Sequence, residues 1–219
     1  MTRQLSFDWP TGVALGPSDF FVSAANEQAF AMLNAPDSWP DRKLVVTGQT
    51  GCGKSHLARI FADGEQARII NAAALAPDFQ PKDQNIVVED METLPPTSEE
   101  AMFHLHNHLR NTGGLLLMTA QTAPGRWPIK LPDLASRMQA ATVCTISDPD
   151  DALLQALIMK LFADRQISPR PELVSYLAPR IERSFAAAAA IVDRLDHAAL
   201  DQRRKINIAL ARELLDNPD

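Results

Sequence analysis

Through the first two thirds of the chain, two kinds of hydrophobic run take turns. Residues 43–47, 67–70, 85–89, 115–119 and 143–146 are short, largely apolar stretches rich in valine, leucine and isoleucine, bounded by glycine, proline or polar residues. Runs of this length predict strands buried on both faces, as in a parallel sheet. Between them, residues 24–33, 54–62 and 98–111 carry apolar side chains at three- and four-residue spacing, which predicts helices. Pro36, Asp37, Pro40 and Asp41 break the first, Gly64 ends the second, and the third opens Thr-Ser-Glu-Glu like a capped N-terminus. The alternation specifies an α/β core: a five-stranded parallel sheet with helices on both faces.

From Pro149 onward the strand signals stop. Residues 152–165, 171–177, 184–200 and 206–215 read as helices, so an α/β domain of residues 20–148 is followed by a small all-α domain of residues 149–219. Residues 1–19 contain Pro10, Gly12, Gly16 and Pro17 without periodicity and read as a flexible arm. That arm nonetheless carries Leu5, Phe7 and Trp9.

Composition adds limits rather than a function. With 46% hydrophobic and 22% charged residues, the chain has the make-up of an ordinary soluble globular protein. A net charge of -6 opposes broad electrostatic binding to DNA, which needs clustered Lys and Arg, so DNA contact is expected to be weak or indirect. No apolar run approaches the ~20 residues of a membrane span, and the polar start has no signal-peptide core behind it. A cytoplasmic location is expected. Cys52 and Cys144, the two cysteines, suggest neither a disulfide framework nor a metal cluster.

The chemistry concentrates at residues 48–55, Gly-Gln-Thr-Gly-Cys-Gly-Lys-Ser, between an apolar strand and a helix. Gly48, Gly51 and Gly53 let the backbone turn tightly and aim N–H groups inward, Lys54 reaches the β and γ phosphates of a nucleotide, and the Ser55 hydroxyl can ligate Mg²⁺. The helix starting at Lys54 adds its N-terminal dipole to the anion site. A second acidic element follows: the strand ending Val88-Glu89-Asp90 presents two carboxylates, one for the magnesium shell and one to polarise an attacking water. The spacing does not divide these roles, and Glu89 is carried forward with Ser55 as the metal-side candidate.

With these motifs in order, the chain as a whole resembles the AAA+ domain of the bacterial replication initiator DnaA, and more closely the short DnaA-related proteins of the Hda (HdaA) type, which regulate initiator inactivation. The resemblance implies that Phe20-Phe21-Val22 and Asn26 enclose the adenine, with Cys52 and His56 among the nucleotide-binding residues. It implies that Leu131-Pro132-Asp133-Leu134, leading into Ser136-Arg137, is the arginine-finger box, so that Arg137 acts in trans on a neighbour's nucleotide. Arg183 looks like the sensor II arginine, reaching from the helical domain to the chain's own nucleotide. Gln4-Leu5-Ser6-Phe7 looks like the peptide with which such proteins dock on the DNA sliding clamp: Leu5 and Phe7 would enter an apolar pocket while Gln4 fixes register. The alternative for the arm is that Phe7 and Trp9 fold back on their own domain.

What the resemblance implies is a regulator, carrying ADP or ATP with Mg²⁺, that stimulates hydrolysis of ATP on the partner initiator DnaA, and a possible homo-oligomer. The chain stops at Asp219, whereas the initiator carries a further DNA-binding domain; this is the expected difference between regulator and initiator. Two features depart from the family pattern. Glu89-Asp90 replaces the commoner Asp-first order, and Gln121 stands where a shorter polar residue senses the γ-phosphate, so weak intrinsic hydrolysis is expected. A helicase-loader-like or DNA-binding AAA+ accessory protein is the alternative, and a phosphotransferase acting on a small acceptor a third reading. His104, His106 and His108 lack the spacing of a metal site, because only His104 and His108 share a helical face, and they read as a half-exposed helix surface. Cys52, at a helix N-terminus, is expected to have a lowered thiol pKa.

Overall fold

The structure, a computed structural model, describes residues 20–216. Gln4, Leu5, Phe7 and Trp9 of the arm lie outside the described residues. The strands are β1 (Lys43–Thr47), β2 (Arg68–Asn71), β3 (Ile86–Glu89), β4 (Leu116–Ala120) and β5 (Thr142–Thr145). They form one sheet in the order β2-β3-β4-β1-β5, every pairing parallel. β1 therefore sits inside, with Val45 opposite Met118 on one side and Val143 on the other. A parallel sheet gathers all its strand ends on one rim, and there the loops after β1, β3 and β4 meet.

Successive strand residues face opposite sides, and each side has its own core. Leu44, Val46, Val87 and Leu117 pack with α1 (Glu27–Leu33) and α2 (Lys54–Glu65). Val45, Ile86, Leu116 and Met118 pack with α3 (Glu99–Thr112) and α4 (Pro132–Gln139). The remaining helices, α5 (Asp151–Asp164), α6 (Pro171–Leu177), α7 (Phe185–Asp201) and α8 (Ile208–Asp216), surround a third core centred on Phe162, Leu177 and Leu195. Leu153 of α5 and Phe185 of α7 belong instead to the α1–α2 core, and so tie the helical segment to the sheet.

Several boundaries differ from the sequence reading for local reasons. α1 starts at Glu27, not at residue 24, because the Asn26 side chain accepts from Ser23 N and closes a turn there. α2 runs through Gly64 to Glu65 and stops at Gln66, which is left-handed at φ 52°. β4 and β2 are each shifted one residue later and β5 one residue earlier than expected. α4 is a helix that the apolar spacing does not predict; Pro132 opens it, where a missing N–H costs no helical hydrogen bond. β2 is an edge strand, and Ile69 is 37% exposed.

Candidate nucleotide-binding site

The loop after β1 wraps the start of α2 as the glycine spacing requires. Gly53 caps α2 in a left-handed conformation at φ 97°, and a Cβ there would stand 3.2 Å from Phe20 Cε2. At Gly48 the demand is closeness: a Cβ would come within 2.7 Å of Cys52 Sγ. Lys54 is buried, and its ammonium donates to the carbonyls of Gly48 (2.7 Å) and Gln49 (2.9 Å), which keeps the charge inside the loop. Gln49 in turn donates to Asp148, at 3.0 Å, just beyond β5.

Beside this loop opens a cleft of about 510 Å³ lined by Gly51, Gly53, Lys54, Ser55, His56, Asp90 and Gln121, all expected at the site, together with Thr50, Glu92 and Thr93. Glu89 ends β3 half-buried, and its Oε1 is buried without a hydrogen-bond partner. Glu89 is not among the residues lining the cleft, although its neighbour Asp90 is, and its orphaned carboxylate oxygen has the chemistry to take a divalent cation. Asp90 is left-handed at φ 57°; its Oδ2 accepts from Asn71 Nδ2 at 2.9 Å, and its N–H donates to Thr119 Oγ1 at 3.2 Å. Glu92 was missed by sequence reasoning. One of its oxygens accepts from Gln121 N at 2.9 Å, anchoring the start of the loop after β4, and the other is buried without a partner. Its only sequence signal is a third acid two residues past Asp90.

Phe20 stacks on Phe30 (centroids 5.8 Å apart) and meets His56 edge-on at 5.6 Å, so an aromatic group covers the start of α2. Asn26 is 2% exposed and spends its amide locally, donating to Phe21 O at 2.9 Å and accepting from Ser23 N. It shapes the 20–26 segment, and Val22 stays exposed on it. Burial pushes the Cys52 thiol up, and the nearby Lys54 ammonium only partly offsets this, so the expected lowering is reversed.

Two arginines lie outside the cleft lining. Arg183, at the foot of α7, pairs with Asp151 at 2.8 Å. Arg137, in the last turn of α4, rests its guanidinium 4.8 Å from the centroid of Phe103 on α3. The same face of α3 holds His106, which is 2% exposed rather than half-exposed, with Nε2 3.1 Å from Lys43 Nζ at the beginning of β1. The glycine loop follows the end of β1, about 13 Å of strand beyond Lys43, and Arg137 is not among the residues lining the cleft. Among the described residues no group of three or more His, Cys, Asp or Glu is gathered to hold a metal ion by itself. No described helix is long and apolar enough to cross a membrane.

Superposition on known structures settles the architecture. Domain III of the replication initiation protein DnaA from Thermotoga maritima matches 95% of this chain and 98% of its own, with a TM-score of 0.74 at 16% identity. The fold is that of a DnaA-type AAA+ domain III. AMPPCP-bound DnaA from Aquifex aeolicus matches with a TM-score of 0.65 at 14% identity, over 85% of this chain and 66% of that one. In sequence, the chain is 23% identical over 223 residues to the chromosomal replication initiator protein DnaA of Cutibacterium acnes, an alignment covering 90% of the chain. It spans 45% of that protein's length. No protein-family model matches the chain.

Proposed function

We propose that this protein is an AAA+ nucleotide-binding regulator of replication initiation that docks on the DNA sliding clamp and stimulates hydrolysis of ATP bound to the initiator DnaA. The observation that carries the reading is that Arg137 stands outside the cleft beside its own glycine loop, against Phe103 of α3. An arginine outside its own cleft is available to a neighbour's site, where such a group contributes roughly 10³ to 10⁵ in rate.

In this reading the loop of residues 48–55 holds the phosphates of ADP or ATP, with Ser55 and Glu89 on the Mg²⁺ side. The AMPPCP-bound relative supports an adenine nucleotide as ligand. Phe20, Val22, Asn26 and His56 form the adenine side, and Arg183 exchanges Asp151 for a phosphate when the helical domain closes. The chain's own turnover is slow, because Asp90 is held by Asn71 and Gln121 offers a long amide in place of a compact sensor. Gln4, Leu5 and Phe7 anchor the clamp.

The test is release of phosphate from DnaA-bound ATP in the presence of clamp loaded on DNA. Arg137→Ala should lower the stimulated rate by about 10³ or more, and deletion of residues 1–9 should remove the dependence on clamp. Full stimulation by Arg137→Ala would overturn the trans-acting role.

A further inference from the structure

α4 has eight residues, too few to hold a helix by backbone bonding alone, so its contacts set its direction. Its N-cap, Leu131, is extended and makes no side-chain cap, and Pro132 has no N–H to give. The segment that enters the helix is instead held by another helix. Glu99, the first residue of α3, is 4% exposed, and its carboxylate accepts Lys130 N at 3.0 and 3.1 Å and Leu131 N at 2.6 Å. These are charge-assisted bonds to the two residues that lead into α4. One helical turn along the same face, Phe103 carries the guanidinium of Arg137. α3 thus grips α4 at both ends: by a buried carboxylate where it starts, and by an aromatic ring under its terminal arginine.

We propose that Glu99 is a positioning residue for Arg137, holding the 130–131 segment so that α4 presents the guanidinium from Phe103 toward a neighbouring molecule's nucleotide. The inference rests on the trans-acting reading of Arg137 and adds the device that aims it. Glutamine at position 99 keeps the shape but offers one acceptor, and turns its amide donor toward the backbone N–H groups.

The experiment uses the full chain in three variants, Glu99→Gln, Phe103→Leu and Arg137→Ala, with DnaA-bound ATP and loaded clamp. In Glu99→Gln the amides of Lys130 and Leu131 should exchange with solvent at least about tenfold faster. The maximal stimulated rate should fall on the order of a hundredfold, the cost of a small misplacement. Nucleotide affinity and half-saturation by DnaA should stay as in the wild type. Adding Glu99→Gln to Arg137→Ala should cause no further loss, since Glu99 acts only through that arginine. Phe103→Leu should reduce the maximal rate a few-fold, as loss of a cation–π contact predicts, and it carries the test if Glu99→Gln does not fold. Wild-type rates in Glu99→Gln or Phe103→Leu while Arg137→Ala is inactive would overturn the positioning role alone. A fully active Arg137→Ala would overturn the functional reading instead.

Discussion

Acidification should remove part of this protein's stability through a single buried side chain. His106 sits on α3 with its Nε2 3.1 Å from the ammonium of Lys43, itself buried. Burial, and then the Lys43 charge, pull the imidazole down from 6.5 to about 4; the Asn107 side chain works in the opposite direction, and Arg137 and Arg110 add to the lowering. A base whose folded pKa lies below its unfolded one binds fewer protons when native. The stability it contributes is therefore fully present above pH 6.5 and is lost as pH falls from there through about 4. At about 1.4 kcal/mol for each tenfold change in proton affinity, the full loss is about 3 kcal/mol, of which about 2 kcal/mol falls between pH 7 and pH 4.5. Urea unfolding of the wild type and His106→Gln across that range isolates the effect, because the carboxylates titrate in both while glutamine stays neutral. The wild type should lose about 2 kcal/mol more than the variant over this range. Parallel stability curves for the two proteins would refute the assignment.

Other tests probe the cleft and the helical core. Gly53→Ala forces a Cβ into a left-handed position beside Phe20, a strain of about 1–3 kcal/mol; ADP affinity by calorimetry should drop roughly 5- to 100-fold, and an unchanged affinity would contradict the cradle geometry. Cys52, with its thiol buried and its pKa raised, should resist iodoacetamide at pH 7.5 in the native protein and react readily once urea unfolds it. Alkylation of the native protein at the free-cysteine rate would show the thiol is open. Phe162→Ala, at a fully buried site, should cost about 3–5 kcal/mol in urea unfolding, and a loss under 1 kcal/mol would mean the C-terminal helices do not share one core.

How much of this was legible in the chain follows from the range of each interaction. The glycine loop after β1 could be read directly, because its glycines, lysine and serine are adjacent in sequence and their backbone needs are local. The strands could be read because central parallel strands are apolar on both faces, as Leu44, Val45 and Val46 are. β2 was harder to bound: as an edge strand it mixes Arg68 with Ile69 and Ile70. α4 escaped because eight residues opened by a proline carry too little periodicity to stand out. The half-exposed reading of His106 failed because helical spacing cannot reveal that Lys43, 63 residues away, lies beneath that face. Glu99 and Glu92 read as ordinary helix-start and loop acids until the fold set their oxygens against the backbone N–H groups of residues 130–131 and 121. The sequence by itself determined where the glycine loop turns and which segments become strands, since both depend on near neighbours. Only the tertiary structure decided the strand order, the burial that raises Cys52 and lowers His106, and the separation of Arg137 from its own cradle. Those depend on contacts and solvent exclusion between segments far apart in the chain, which no local pattern encodes.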